Sequence, residues 1–119
     1  MGNGKQKKSY LHVSELISAM IHVSESDYRN SKVEIINIGC SDRGITVEEI
    51  AKIVKEITHS QKQIVFERTD RGWMGDVPRF SYDISYLHSF GWKSSISSRE
   101  AILLAAKEIN LQLNKRSNL

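Results

Sequence analysis

The sequence predicts a single α/β unit, on three observations. Short β-branched apolar runs alternate with longer stretches of helical period. Two capping-box signatures stand at the heads of such stretches, and glycines or the lone proline mark the joins. Residues 8–13, KSYLHV, alternate polar with apolar and read as a short strand, after which Ser14 is placed to cap a helix. Leu16, Ile17, Met20, Ile21 and Val23 or Ser24 then recur at helical spacing, so that helix is expected to turn one stripe toward a core. The polar SESDYRNSK ends it.

VEIINIG, residues 33–39, is apolar on both faces, as in a strand buried in a parallel sheet. Thr46-Val47-Glu48-Glu49 is a capping box, opening a helix with Val47, Ile50, Ala51, Val54 and Ile57 on one face. QIVFE, residues 63–67, reads as a further strand. DRGWMGDVPRF, residues 70–80, is a shaped loop: Gly72 and Gly75 admit unusual backbone angles and Pro78 fixes its own. Asp83 is placed to cap the short helix ISYLHSF, which Gly91 should terminate before Trp92. A second box, Ser97-Ser98-Arg99-Glu100, opens the last helix, with Ile102, Ala105, Ala106, Ile109 and Leu113 as its packing face. No repeat, linker or low-complexity block divides the chain, so residues 1–119 are read as one domain.

Composition narrows the function. The chain has 119 residues, 39% hydrophobic, without an apolar run long enough to span a bilayer, and MGNGKQKK leads into no signal-type hydrophobic region. A cytoplasmic protein with no membrane partner is the expectation. Cys40 is the only cysteine, and His12, His22, His59 and His88 show no ligand spacing, so no metal site is expected. A net charge of +3 favours anionic partners without naming one. A nucleic-acid module would need aromatics interleaved along a continuous basic face; here the arginines sit in a glycine loop beside acids, and no nucleic acid is expected.

Two motifs invite chemistry that their context does not support. GNGKQKK lacks the spacing and the Lys-Ser/Thr ending of a phosphate loop, and no G-x-G-x-x-G follows a strand, so no cofactor-binding residue is read from this chain. Tyr28-x-x-x-Lys32 has the spacing that pairs a phenol with an ammonium for proton transfer, but it lies in a polar connector, and no catalytic residue is assigned. In the glycine loop two readings stand side by side. Trp73 and Phe80 anchor the loop while Arg68, Arg71 and Arg79 pair with Asp70 and Asp76, or the guanidinium groups grip a phosphate and Trp73 offers its face to a base or sugar.

Four stretches taken in order resemble the C-terminal portion of the extended short-chain dehydrogenase/reductases, the NAD-dependent nucleotide-sugar epimerase/dehydratase family that includes UDP-glucose 4-epimerase. GNGKQKKSYLHVSEL resembles the family's G-x-G-x-Q-x-R-D/S-F/Y-x-Y/H-V-x-D-L/V, EIINIG its v-y-N-I/L-G strand, ITVEEIA the next helix, and GDVPRFSYDISYLHSFGW its G-D-V/L-P-x-x-x-x-D-x-S/T-K/R-x-x-x-x-L/F-G-W. Together they cover residue 2 to about 109.

The resemblance implies an α/β fold comprising the last Rossmann-edge strand and helix plus a small substrate-binding region. It implies binding of a UDP-sugar or other nucleoside diphosphate sugar. It also implies that NAD and the catalytic Tyr-x-x-x-Lys belong to an N-terminal Rossmann part not represented here, so that this chain alone holds no cofactor and is inactive. Lys8 stands where the family has an arginine on the substrate diphosphate; the charge is kept and the fork is lost. Asp76 matches the aspartate of the family's Arg-x-Gly-Asp, with Trp73 in the arginine's place and Arg71 two positions further back, a form seen in archaeal-type epimerases. Lys8, Arg71, Trp73 and Asp76 are thus the implied substrate-binding residues. A bare strand edge and bare helix faces imply a homo-oligomer or a separate Rossmann-containing polypeptide as partner. The alternatives are a structural or regulatory remnant of such an epimerase and the nucleic-acid module already weighed.

Overall fold

In the computed structural model, which describes residues 2–26, 33–68 and 81–116, helices are arranged around a small two-stranded sheet. The order is β1 (Lys7–Lys8), α1 (Val13–Glu25), β2 (Ile45–Thr46), α2 (Val47–Ile57), α3 (Ser85–Ser89) and α4 (Ser98–Arg116). The α/β class stands. β1 and β2 are antiparallel, with Lys7 opposite Thr46 and Lys8 opposite Ile45.

The local start and stop signals are realised. At α2 the Thr46 hydroxyl and N–H both donate to Glu49 Oε2, at 2.7 and 2.9 Å, and the Glu49 N–H returns to Thr46 Oγ1. Those donors hold the Glu49 carboxyl below its ordinary value. Ser97 and Glu100 repeat the exchange at α4. At α3 the start shifts by one residue: Ile84, not Asp83, takes the cap position, while Asp83 Oδ1 accepts from the Ser85 N–H and hydroxyl, and Gly91 ends the helix at φ 85° with its N–H on the His88 carbonyl. The cap of α1 differs from expectation: it is His12, whose Nδ1 accepts from the Ser14 N–H. That leaves His12 Nε2 to donate to Glu108 of α4, 3.2 Å away, so a side chain that also bridges two helices takes the role expected of Ser14.

Three predicted strands are corrected. Of the first, residues 8–13, only Lys8 pairs, together with Lys7 before it, and Val13 already belongs to α1. Residues 33–39 and 63–67 have no ladder partner among the described residues. The 33–39 segment nonetheless keeps the period of two that a strand imposes. Ile36 and Ile38 pack against the core of Ala19, Leu87 and Trp92, Glu34 accepts from the Tyr86 hydroxyl at 2.6 Å, and Val33 and Ile35 are 74% and 86% exposed.

Helix α1 is turned the other way from its predicted orientation. Of the predicted stripe only Val23 packs against the core; the rest of the inward side is small and polar: Ala19 is fully buried, Ser18 Oγ accepts from the Trp92 indole N–H, His22 Nε2 meets the Phe90 carbonyl at 2.7 Å, and Glu15 accepts from Ser95. These partners fix the helix. Val13, Leu16, Ile17, Met20 and Ile21, its apolar stripe, face outward.

Candidate functional site

A polar cavity lies beside β1. About 640 Å³ in volume, it is walled by Lys7 and Ser9 on one side, by residues 40–43 on a second and by Ser81 and Tyr82 on a third. That is within the usual size range of small-molecule sites. Lys7 and Ser9 are two positions apart, so both reach the same face of the extended chain, while Lys8 between them does not line the cavity.

The walls are held by backbone-directed bonds. Ser98, fully buried at the start of α4, accepts from the Tyr10 N–H at 2.9 Å, and donates to Asp42 through its hydroxyl at 2.7 Å and its N–H at 2.6 Å. Asp42 also accepts the Gly44 N–H at 2.8 Å. Burial alone would push the Asp42 carboxyl up, but the donors of Ser98 and Gly44 outweigh it and leave the group below its ordinary 3.8. Ser9 Oγ donates to the Cys40 carbonyl at 3.5 Å, and the Cys40 thiol points to the Ile96 carbonyl. The strand, the turn and the α4 N-terminus are thereby one rigid corner.

Because the folded-state pKa of Asp42 is depressed, its contribution to stability is complete above about pH 4 and lost as pH falls through the lower folded value. Ser98→Ala should cost about 1–2 kcal/mol at neutral pH, since it strips Asp42 of a donor and the Tyr10 N–H of its acceptor. The gap between the thermal midpoints of variant and parent should narrow below pH 3.8. A gap that stays constant down to pH 2.5 would mean that Asp42 is not the group carrying it.

Of the sequence-predicted site residues, Lys8 lies in β1 next to the cavity-lining Lys7. Arg71, Trp73 and Asp76 fall outside the described residues, as does Tyr28. Sequence reasoning passed over Arg43 and Tyr82. A signal for Arg43 was present: Ser-Asp-Arg-Gly directly follows the NIG run, and ligands in open α/β folds gather beyond the C-terminal ends of strands. The N-terminal glycine segment is not a dinucleotide cradle. Its Gln6 and Gly4 carbonyls accept from the first amides of α2, and the Phe66 ring stands where a side chain at position 4 would be.

No protein-family profile matches the chain. It is 31% identical over 101 residues to GDP-L-fucose synthase 1 of Arabidopsis thaliana, covering 85% of this chain and 29% of the relative. A crystal structure of UDP-galactose 4-epimerase superposes with a TM-score of 0.76 at 25% identity, over 91% of this chain and 35% of that one. The UDP-glucose 4-epimerase of Thermotoga maritima, solved with UDP-glucose, superposes with a TM-score of 0.72 at 28% identity, over 95% of this chain and 34% of that one. The chain resembles a portion of an extended short-chain dehydrogenase/reductase of the nucleotide-sugar epimerase group. It spans under a third of the length of the curated members that it matches. Within that group the sequence matches reach enzymes of GDP-sugars as well as of UDP-sugars, a wider span than the UDP-glucose 4-epimerase pattern alone implies. Among the described residues no helix is long and apolar enough to cross a membrane.

Proposed function

We propose that this chain is the sugar-nucleotide-binding portion of an NAD-dependent nucleotide-sugar epimerase in the cytoplasm, inactive alone and completed by a Rossmann-containing polypeptide. The observation that supports it most is the superposition of 95% of the chain on an epimerase solved with UDP-glucose. Lys8, Arg71, Trp73 and Asp76 are the proposed contacts, by their match to the family pattern: the cations for the diphosphate and Trp73 for the base or sugar.

The partner follows from chemistry. Inverting a sugar carbon needs a hydride acceptor held against it and a base for the hydroxyl proton, because an unactivated C–H bond does not ionise at neutral pH. Neither group is assigned to residues of this chain, so both are placed on the partner.

Calorimetric titration tests the reading. UDP, GDP or one of their sugars should bind with one site per chain, Lys8→Ala should weaken that binding about tenfold, and NAD should show no stoichiometric binding. Failure of every nucleotide to bind would instead favour a structural remnant. Epimerase turnover by the 119 residues that disappears on Tyr28→Phe would overturn the assignment of catalysis to a partner.

A further inference from the structure

We propose that Arg43 is a phosphate-gripping residue of the cavity beside β1, supplying the forked guanidinium that a lysine at position 8 does not. The inference rests on the sugar-nucleotide reading above. It begins with how the turn is built. On one side of Arg43, both Asp42 oxygens are engaged, Oδ2 by the Ser98 N–H and Oδ1 by the Ser98 hydroxyl and the Gly44 N–H. On the other side, Gly44 at φ 78° presses against the Lys8 carbonyl so closely that a Cβ there would lie 2.2 Å from its oxygen. The backbone carrying Arg43 is fixed on both flanks.

The side chain is differently placed. Arg43 is exposed and lines the cavity, and among the described residues no carboxylate lies within ion-pair distance of it. Its sequence neighbour Asp42 is already committed to Ser98 and Gly44. Lys7, the other cation of the lining, is shared with Glu49, whose carboxyl it helps to hold ionised. A guanidinium on an immobilised turn, open to a polar cavity and without an ion-pair partner among the described residues, suits an anion with two acceptor oxygens in one plane. Fixing the turn beforehand also lowers the ordering cost of binding. The ligand class is a diphosphate group, free or within a nucleotide.

Arg43→Ala and Arg43→Lys, titrated with UDP, GDP, inorganic pyrophosphate and uridine, test the assignment. Because Arg43 is exposed and has no ion-pair partner among the described residues, both variants should melt with the parent. The alanine variant should bind UDP or GDP, and pyrophosphate, at least tenfold more weakly than the parent, with any uridine affinity unchanged. The lysine variant should recover only part of the loss. If the parent binds the nucleoside diphosphates and Arg43→Ala binds them equally well, Arg43 is not a phosphate residue and the sugar-nucleotide reading survives. If the parent binds pyrophosphate alone and Arg43→Ala abolishes that, the Arg43 site stands and the sugar-nucleotide reading falls. If the parent binds none of the diphosphates, both are overturned.

Discussion

Dilute, purified chain should bind an apolar dye and self-associate at micromolar concentration, and the paired substitution Ile17→Glu, Ile21→Lys should weaken that association roughly 100-fold without lowering the melting temperature. The expectation comes from α1. Its five large apolar residues at positions 13, 16, 17, 20 and 21 form one outward stripe, with Ile17 and Met20 more than half exposed, while the side against the body is held by Ala19, Val23 and hydrogen bonds. Substituting the outward positions therefore leaves the internal contacts intact. Outward-facing Val33 and Ile35 add apolar surface in a segment that keeps strand periodicity without a ladder neighbour among the described residues.

With a Rossmann-containing partner supplied in trans, the same double substitution should abolish capture. Sedimentation velocity of the parent chain decides the first part: a monodisperse monomer that binds no dye would show that the stripe is tolerated in water and requires no cover.

Which features were legible in the sequence follows from the range of the forces behind them. The two capping boxes, the Asp83 turn and the Gly91 stop each close within a few residues, so the local sequence contains every participant. The orientation of α1 was not legible, because hydrophobicity alone marks the stripe of Leu16 to Ile21 as the inward one. Trp92, 74 residues from Ser18, decides otherwise by requiring an acceptor for its indole N–H at that contact. Pattern likewise marked VEIINIG as strand-like, and the alternation is present, but a ladder needs a neighbouring strand that pattern cannot supply. Arg43 was missed because a charge in a polar turn has no periodicity; only the three-way bonding of Asp42, which brings the turn against Ser98 of α4, gives it a fixed place.

Gly44→Ala should lower stability by about 3 kcal/mol and the melting temperature by roughly 10 °C or more. Two costs combine. At φ 78° the residue occupies the left-handed region, which costs an L-residue about 1–2 kcal/mol. The added Cβ would also stand 2.2 Å from the Lys8 oxygen, 2.4 Å from its carbon and 2.8 Å from the Ser9 nitrogen, all backbone atoms that no rotamer change can move. Relief requires β1 to leave β2, breaking the Lys8 to Ile45 register and drawing Lys7 and Ser9 away from the cavity wall. Ligand binding should therefore be lost along with stability. Gly91→Ala is the control. Its φ is 85°, yet the nearest atom to an added Cβ is His22 Nε2 at 3.9 Å, so only the conformational cost of about 1 kcal/mol applies. Thermal melts of the two variants by circular dichroism separate the terms: equal losses would show that no clash exists at Gly44 and that the turn does not bear on β1 as described.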